Sequence, residues 1–393
     1  MRQLSRLPEP VYLDFAATTP ADPAVIAAMG EHLGAAGVFG NAASTHGYGR
    51  RAGRAVDAAR RDVAALLGAE PANIVFTAGA TEADNLAVLG TARYRAGDGR
   101  HIVTSRTEHK AIVDSVRALE RDGWEVTWLA TGPGGAVTPA SVAAALRDDT
   151  VLVAVMYVNN ELGTLQPVAE IGALLADHPA TFVVDAAQAA GRVPVDVNAL
   201  GADLLTLSAH KFYGPKGVGA LWFAGDYAPR LEPLVFGGGH ERGLRSGTPP
   251  THQIVGLGCA ARLAKSRLAA DYAHIEVLSA RLRSGLVDVS GVHVNGAEAP
   301  RVPHIVNVRV ADVDGESLRF ALEPVAVSSG SACSSAVPEP SYVLRALGLS
   351  DAQAEASLRF SLGRSTSAAE IDAALRQFRA AVTHLRGRAR FIA

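Results

Sequence analysis

The sequence predicts an α/β protein: a mostly parallel, seven-stranded sheet flanked by helices, with a smaller α+β domain beside it. Three observations carry this. Between about residues 55 and 225, short β-like apolar runs alternate with helix-period stretches. Those runs are uniformly apolar, as strands covered on both faces are, and strands separated by helices imply parallel pairing. After the loop "FGGGHERGLRSGTPP" (236–250) the alternation stops, and a long helical region is followed by short strands mixed with helices.

The strand candidates in order are "NIVFT" (73–77), "HIVTS" (101–105), "EVTWL" (125–129), "VLVAVMYV" (151–158), "TFVVD" (181–185), "LLTLS" (204–208) and "GALWF" (219–223). Helical periods fill the gaps, among them "TEADNLAVLGTARYRA" (81–96) and "TPASVAAALRDD" (138–149). In such a sheet the ligand lies beyond the carboxyl ends of the strands, so chemistry is to be sought there. A helix is expected over about 251–288, then strands in "HIVNVRV" (304–310) and "SLRFSL" (357–362), and a last helix in "SAAEIDAALRQFRAAVTHL". The expected division is a large domain over 15–260 and a small one formed by 1–14 and 261–393.

Composition excludes several classes. The chain has 393 residues, 48% of them hydrophobic, which suits a sizeable core and argues against disorder. With 37 basic and 39 acidic residues and no dense basic run, direct binding of nucleic acid is not expected. Two cysteines, Cys259 and Cys333, cannot make a disulfide framework. The opening "MRQLSRLPEPVYLDF" has no apolar signal-peptide core, and the longest apolar run falls far short of a membrane span. The expectation is a soluble cytoplasmic protein without membrane contact. No histidine stands in a convincing ligand spacing, so no metal is expected. Of the 37 basic residues only Lys110, Lys211, Lys216 and Lys265 are lysines, which leaves four candidates for lysine chemistry.

Three stretches bear chemistry. "IVFTAGATEADN" (74–85) is a strand, a small-residue turn and a helix start, an arrangement whose free N–H groups and dipole suit a phosphate. It matches neither common nucleotide fingerprint, and it also suits a plain helix capped by Thr81. "FVVDAAQAAGRVPVD" (182–196) ends an apolar strand on Asp185, with Gln188 three residues on. A buried carboxylate needs a partner. A protonated pyridine nitrogen is one, the next helix N-terminus another. "LLTLSAHKFYGPKGVGAL" (204–221) sets Ser208, His210 and Lys211 just past the following strand, where a lysine is a Schiff-base candidate. Lys265 reads as solvated in a helix, Lys216 as exposed in a turn, and Lys110 as part of a helix start. A phosphate cradle, a pyridinium-holding acid and a Schiff-base lysine together point to one cofactor, pyridoxal 5′-phosphate.

With "YLDFAATTP", "FGNAASTHGYG", "VFTAGATEADNLA", "TSRTEHKAI", "VNNELGTLQP", "VDAAQAAGRVPVD", "SAHKFYGPKGVGAL", "GGGHERGLRSGT", "SSGSACSS" and "PSYVLRALGL" followed by "SLRFSLGR", the chain resembles the cysteine desulfurases of the class-V aminotransferase superfamily. The resemblance implies a fold-type I pyridoxal-phosphate enzyme. It makes Lys211 the Schiff-base residue that later moves the substrate Cα proton. Asp185 would hold the pyridine N–H, Gln188 the ring hydroxyl, and His109 the ring face. Ala80, Thr81, Ser208 and His210 would cradle the phosphate, with Thr248 of the partner subunit, which implies a homodimer. Asn41, Asn160 and Arg359 would take the substrate carboxylate, with Asn160 also against the cofactor; a turn role for Asn41 and a surface ion pair for Arg359 are the alternatives.

The resemblance also gives "VSSGSACSSA" (327–336) its meaning. The Cys333 thiolate would attack the sulfur of L-cysteine, leaving L-alanine and a persulfide that is handed to a protein acceptor. Serine, glycine and alanine make a carrier segment that does not pack, whereas Cys259 in "GLGCAARLA" reads as an inert core cysteine. Iron–sulfur cluster assembly, tRNA thiolation and DNA phosphorothioation all remain open as destinations. The ending "LRGRARFIA" is shorter than the tail by which family members dock a cluster scaffold, so that partner is the less expected one. A selenocysteine lyase or another class-V activity is the alternative enzyme, and a non-enzymatic scaffold protein the alternative of another kind.

Overall fold

In the computed structural model, residues 10–225, 230–329 and 339–392 are described. Cys333 lies outside them. Among the described residues twelve strands run in chain order: β1 Val11–Tyr12, β2 Ile74–Thr77, β3 His101–Ser105, β4 Glu125–Leu129, β5 Thr150–Ala154, β6 Thr181–Asp185, β7 Leu204–Ser208, β8 Gly219–Phe223, β9 Val292–Val294, β10 Ile305–Val310, β11 Val325–Ala326 and β12 Ser357–Ser361.

Seven of them form the central sheet in the order β2-β8-β7-β6-β5-β3-β4. All its pairings are parallel except those of β8, which is antiparallel to both neighbours. The strands β2, β3, β5, β6, β7 and β8 are buried along their whole length, as their mainly apolar sequences suit. Successive residues of one strand feed different cores: Phe182 and Val184 pack on one face of the sheet, Val183 on the other.

"VLVAVMYV" is strand only to Ala154. Beyond it the backbone still donates to β6, from Val155 N–H to Val183 O and from Tyr157 N–H to Asp185 O, then turns to place Met156, Val158 and Asn160 above the sheet. The expected helix at 81–96 is helical over Ala80–Tyr94 but contains a π turn at Leu86–Gly90. A Cβ on Gly90 would lie 2.7 Å from Glu232 O, so the widened turn sits where another backbone presses close.

The smaller part holds the antiparallel sheet β12-β10-β9 and the parallel pair β1-β11. Helix Thr251–Val287 serves both parts: Ile254 and Leu257 join the large core, Ile275, Leu278, Leu282 and Leu286 the small one. We propose that the two domains divide within this helix, near the expected boundary at 260. Among the described residues no helix is long and apolar enough to cross a membrane.

Candidate active site

Adjacent parallel strands β3, β5, β6 and β7 all end on the same side of the sheet; Asp185 and Ser208 are the last residues of β6 and β7, and His109 and Asn160 stand in the segments that follow β3 and β5. This is the edge at which open α/β sheets bind ligands. A cavity of about 1070 Å³ opens there. Ala80, Thr81, His109, Asn160 and Asp185 line it, as do Gln188, Ser208, His210, Lys211 and Arg359. Asn41 and Thr248 are exposed in the single chain and do not border the cavity. The Asn41 carboxamide accepts the Ala43 N–H at 3.0 Å, the turn role open to it. Thr81 does not cap its helix: the N-cap is Gly79, with φ +153° and no side-chain cap, because a left-handed backbone there requires glycine. The first N–H groups of that helix therefore carry no capping side chain.

Lys211 Nζ donates to Ala16 O at 2.7 Å and Ala17 O at 2.9 Å, and Gln188 Nε2 donates to the same Ala16 O at 2.8 Å. Asp185 is 5% exposed and accepts the Ala187 N–H at 2.8 Å, so it caps a turn while facing the cavity. Burial raises its carboxyl above the usual range, and His109 and Lys211 pull it back. His109 is the N-cap of helix Lys110–Arg121, accepting the Ala111 N–H, and also borders the cavity. Burial, then the cations Lys211, Lys216 and Arg192, push His210 down to about 4, so its ring is neutral, 3.1 Å from Thr18 Oγ1. Arg359 Nη1 donates to Asn160 O at 2.8 Å and Nη2 to Asp14 Oδ1 at 2.9 Å. Arg359 is thus a buried guanidinium paired with a half-buried carboxylate, not the surface ion pair left open by the sequence.

The segment "DFAATT" (14–19) is a site element to which sequence reasoning assigned no residue. Ala16 and Ala17 hold Lys211, Thr18 meets His210, and Thr19 accepts the Tyr213 N–H. Its signal was the motif "YLDFAATTP" itself, which lacks any periodicity to mark it. Two buried acids were also missed. Asp84 and Glu108 lie beside Asp185, both fully buried, and both carboxyls are raised well above the usual range, chiefly by burial. Thr206 donates to Asp84 Oδ1 at 2.6 Å. Glu108 has no well-formed hydrogen bond on either oxygen, although the nearby Met156 amide favours its charged form.

The residues present fit pyridoxal 5′-phosphate. Gln188 Oε1, Asn160 Oδ1 and Arg359 Nε are buried without hydrogen-bond partners at the cavity, polar groups that a polar ligand would satisfy. A phenolic hydroxyl, an amine or a carboxylate supplies the matching chemistry.

The fold and the cavity define a lysine-bearing α/β enzyme of the pyridoxal-phosphate kind, and residues 11–374 match the class-V aminotransferase family, to which the chain belongs. Within it the chain groups with the cysteine desulfurases. It is 54% identical over 378 residues to the cysteine desulfurase IscS of Vibrio cholerae serotype O1, covering 96% of this chain and 94% of that one. A solved NifS-like protein superposes with a TM-score of 0.89 at 32% identity, over 96% of this chain and 100% of the other. SspA in complex with cysteine does so at 0.80 and 36% identity, over 91% and 99%.

Proposed function

We propose that this cysteine desulfurase takes sulfur from L-cysteine, releases L-alanine, and holds the sulfur as a persulfide on Cys333 for a protein acceptor. One observation supports this above the rest: Lys211, the buried Asp185 and the buried Arg359 border a single cavity. A structural neighbour carries cysteine, which supports the substrate.

In this reading Lys211 holds the cofactor through its amine, Asp185 keeps the proton on the ring nitrogen, and Gln188 meets the ring hydroxyl. Ala80, Thr81, Ser208 and His210 take the phosphate, with Thr248 of the partner subunit in a homodimer. Bound pyridoxal 5′-phosphate supplies the electron sink for charge at the substrate Cα. His109 covers the ring face and Lys211 moves the Cα proton. Arg359 and Asn160 orient the substrate carboxylate, the former by its planar fork; Asn41, which does not border the cavity in the single chain, is assigned there on the sequence resemblance alone. The Cys333 thiolate bonds to the substrate sulfur as the C–S bond breaks, and protonation of the carbon fragment gives alanine. Cys259 is unsuited to this work, since burial pushes its thiol up. The acceptor would serve iron–sulfur assembly, tRNA thiolation or DNA phosphorothioation, in the cytoplasm.

The test compares alanine and sulfide formed from L-cysteine and a reductant by the natural protein and by Cys333→Ala. Equal amounts of both products, lost in the variant, are expected. Alanine from the variant at the natural rate would remove Cys333 from the reaction.

A further inference from the structure

Among the described residues, Asp14 is the carboxylate that joins Arg359 to the chain leading to Cys333. Its Oδ1 accepts Arg359 Nη2–H at 2.9 Å and the Ser328 hydroxyl at 2.9 Å. Ser328 and Arg359 also exchange backbone hydrogen bonds, from Ser328 N–H to Arg359 O and from Arg359 N–H to Ser328 O at 2.7 Å. From Ser328 the sequence runs five residues to Cys333. Asp14 is itself fixed by a backbone bridge to Ser361 on β12. The Arg359 side chain is 3% exposed, and of its five N–H donors the buried Nε has no partner. A guanidinium held by Asp14 on one nitrogen and Asn160 O on another, on a residue that borders the cavity and keeps its buried Nε unpaired, is prearranged for one more acceptor.

We propose that Asp14 is a positioning residue for the amino-acid substrate. One of its oxygens registers both the guanidinium that takes the substrate carboxylate and Ser328, five residues before the sulfur-accepting cysteine in the sequence. This rests on reading Arg359 as the carboxylate donor. Position, more than charge, is what the geometry supplies: an asparagine retains an oxygen able to accept from both donors, whereas a glutamate keeps the charge and displaces it by one methylene.

The test is binding of L-alanine, which has the carboxylate but no sulfur, to the cofactor-loaded protein, followed through the cofactor absorbance. Ethylamine, which lacks the carboxylate, is the control. Asp14→Ala and Asp14→Glu should weaken L-alanine roughly ten- to a hundredfold, the weight of a charge-assisted hydrogen bond, and leave ethylamine unchanged. Asp14→Asn should stay within about threefold of the natural protein. Unaltered L-alanine affinity in both Asp14→Ala and Asp14→Glu overturns the proposal, and so does an equal loss for ethylamine. Arg359→Ala separates the two layers: if it binds L-alanine normally, the carboxylate reading itself fails. Ser328→Ala should bind L-alanine normally but load persulfide on Cys333 several-fold more slowly; loading at the natural rate would sever the link to the cysteine.

Discussion

Glu108 shows how a single side chain sets conditions that its sequence position hides. Both its oxygens are buried without good hydrogen bonds, next to Asp84 and Asp185. Three carboxyls in one dry region cannot all ionise, and Asp185 alone has both His109 and Lys211 to hold its charge. A carboxyl raised in the folded state binds its proton there while the unfolded chain has lost it. It therefore lowers stability as pH rises above the ordinary carboxyl range, by about 1.4 kcal/mol per pH unit until the folded-state value is reached. Glu108→Gln should match the natural protein in urea denaturation near pH 4 and exceed it increasingly from pH 5 upward; a constant difference would mean that Glu108 is charged when folded. His210 works the opposite way: its folded value near 4 lies below the ordinary 6.5, so its contribution is lost as pH falls through that window. Lys211 is tested more simply. Lys211→Ala should erase the visible absorbance of the loaded protein, and an unchanged spectrum would remove it from its role. In "TEHKAI" the histidine was legible as functional, but nothing local to the glutamate reveals that it is buried.

The strand ends carry the site, and Gly219 shows why their spacing is tight. A Cβ on this β8 residue would clash with Leu207 O on β7 and lie 2.7 Å from Gly79 Cα, in the turn before the helix that begins at Ala80. A glycine where another backbone approaches closely is expected. Gly219→Ala should cost about 1–3 kcal/mol through overpacking and should weaken cofactor retention, because the displaced turn leads into Ala80 and Thr81. Dialysis against free cofactor would show it; normal retention would mean that the turn relaxes without moving the helix start. Strands such as "TFVVD" and "LLTLS" were legible to the residue, since short, mainly apolar runs that end on a polar residue leave little choice. Asp185 and Ser208 came with them. The segment at 14–19 was legible only as a motif without residue roles, for its bonds reach across the whole chain. The π turn escaped for a similar reason: the backbone that presses on it at Gly90 is that of Glu232, more than 140 residues away.

At the scale of the molecule, Arg364 fastens the small part to the large one. Its guanidinium lies 3.8 Å over the Tyr213 ring, and Asp22 and Asp271 stand 3.1 Å and 3.0 Å from its nitrogens. Tyr213 needs this hold, because it has φ +68° two residues after Lys211, a strained conformation for a bulky side chain. Arg364→Ala should lower unfolding free energy by about 2–4 kcal/mol, and Arg364→Lys should restore little of it, since an ammonium neither stacks nor forks. Full restoration by lysine in urea titrations would reduce the contact to charge alone. The hold of Asp14 on Arg359 spans 345 residues of sequence, and that separation dictates an order of events. Pairing so distant in the chain carries a large loop-closure entropy and belongs late in folding. The large sheet can assemble from residues before 225, yet its cavity stays without Arg359 until β12 docks beside segment 14–19. The enzyme is therefore built as a receptacle first and acquires its recognition of amino acids last, so a refolding chain should gain helical signal before it can discriminate L-alanine from ethylamine.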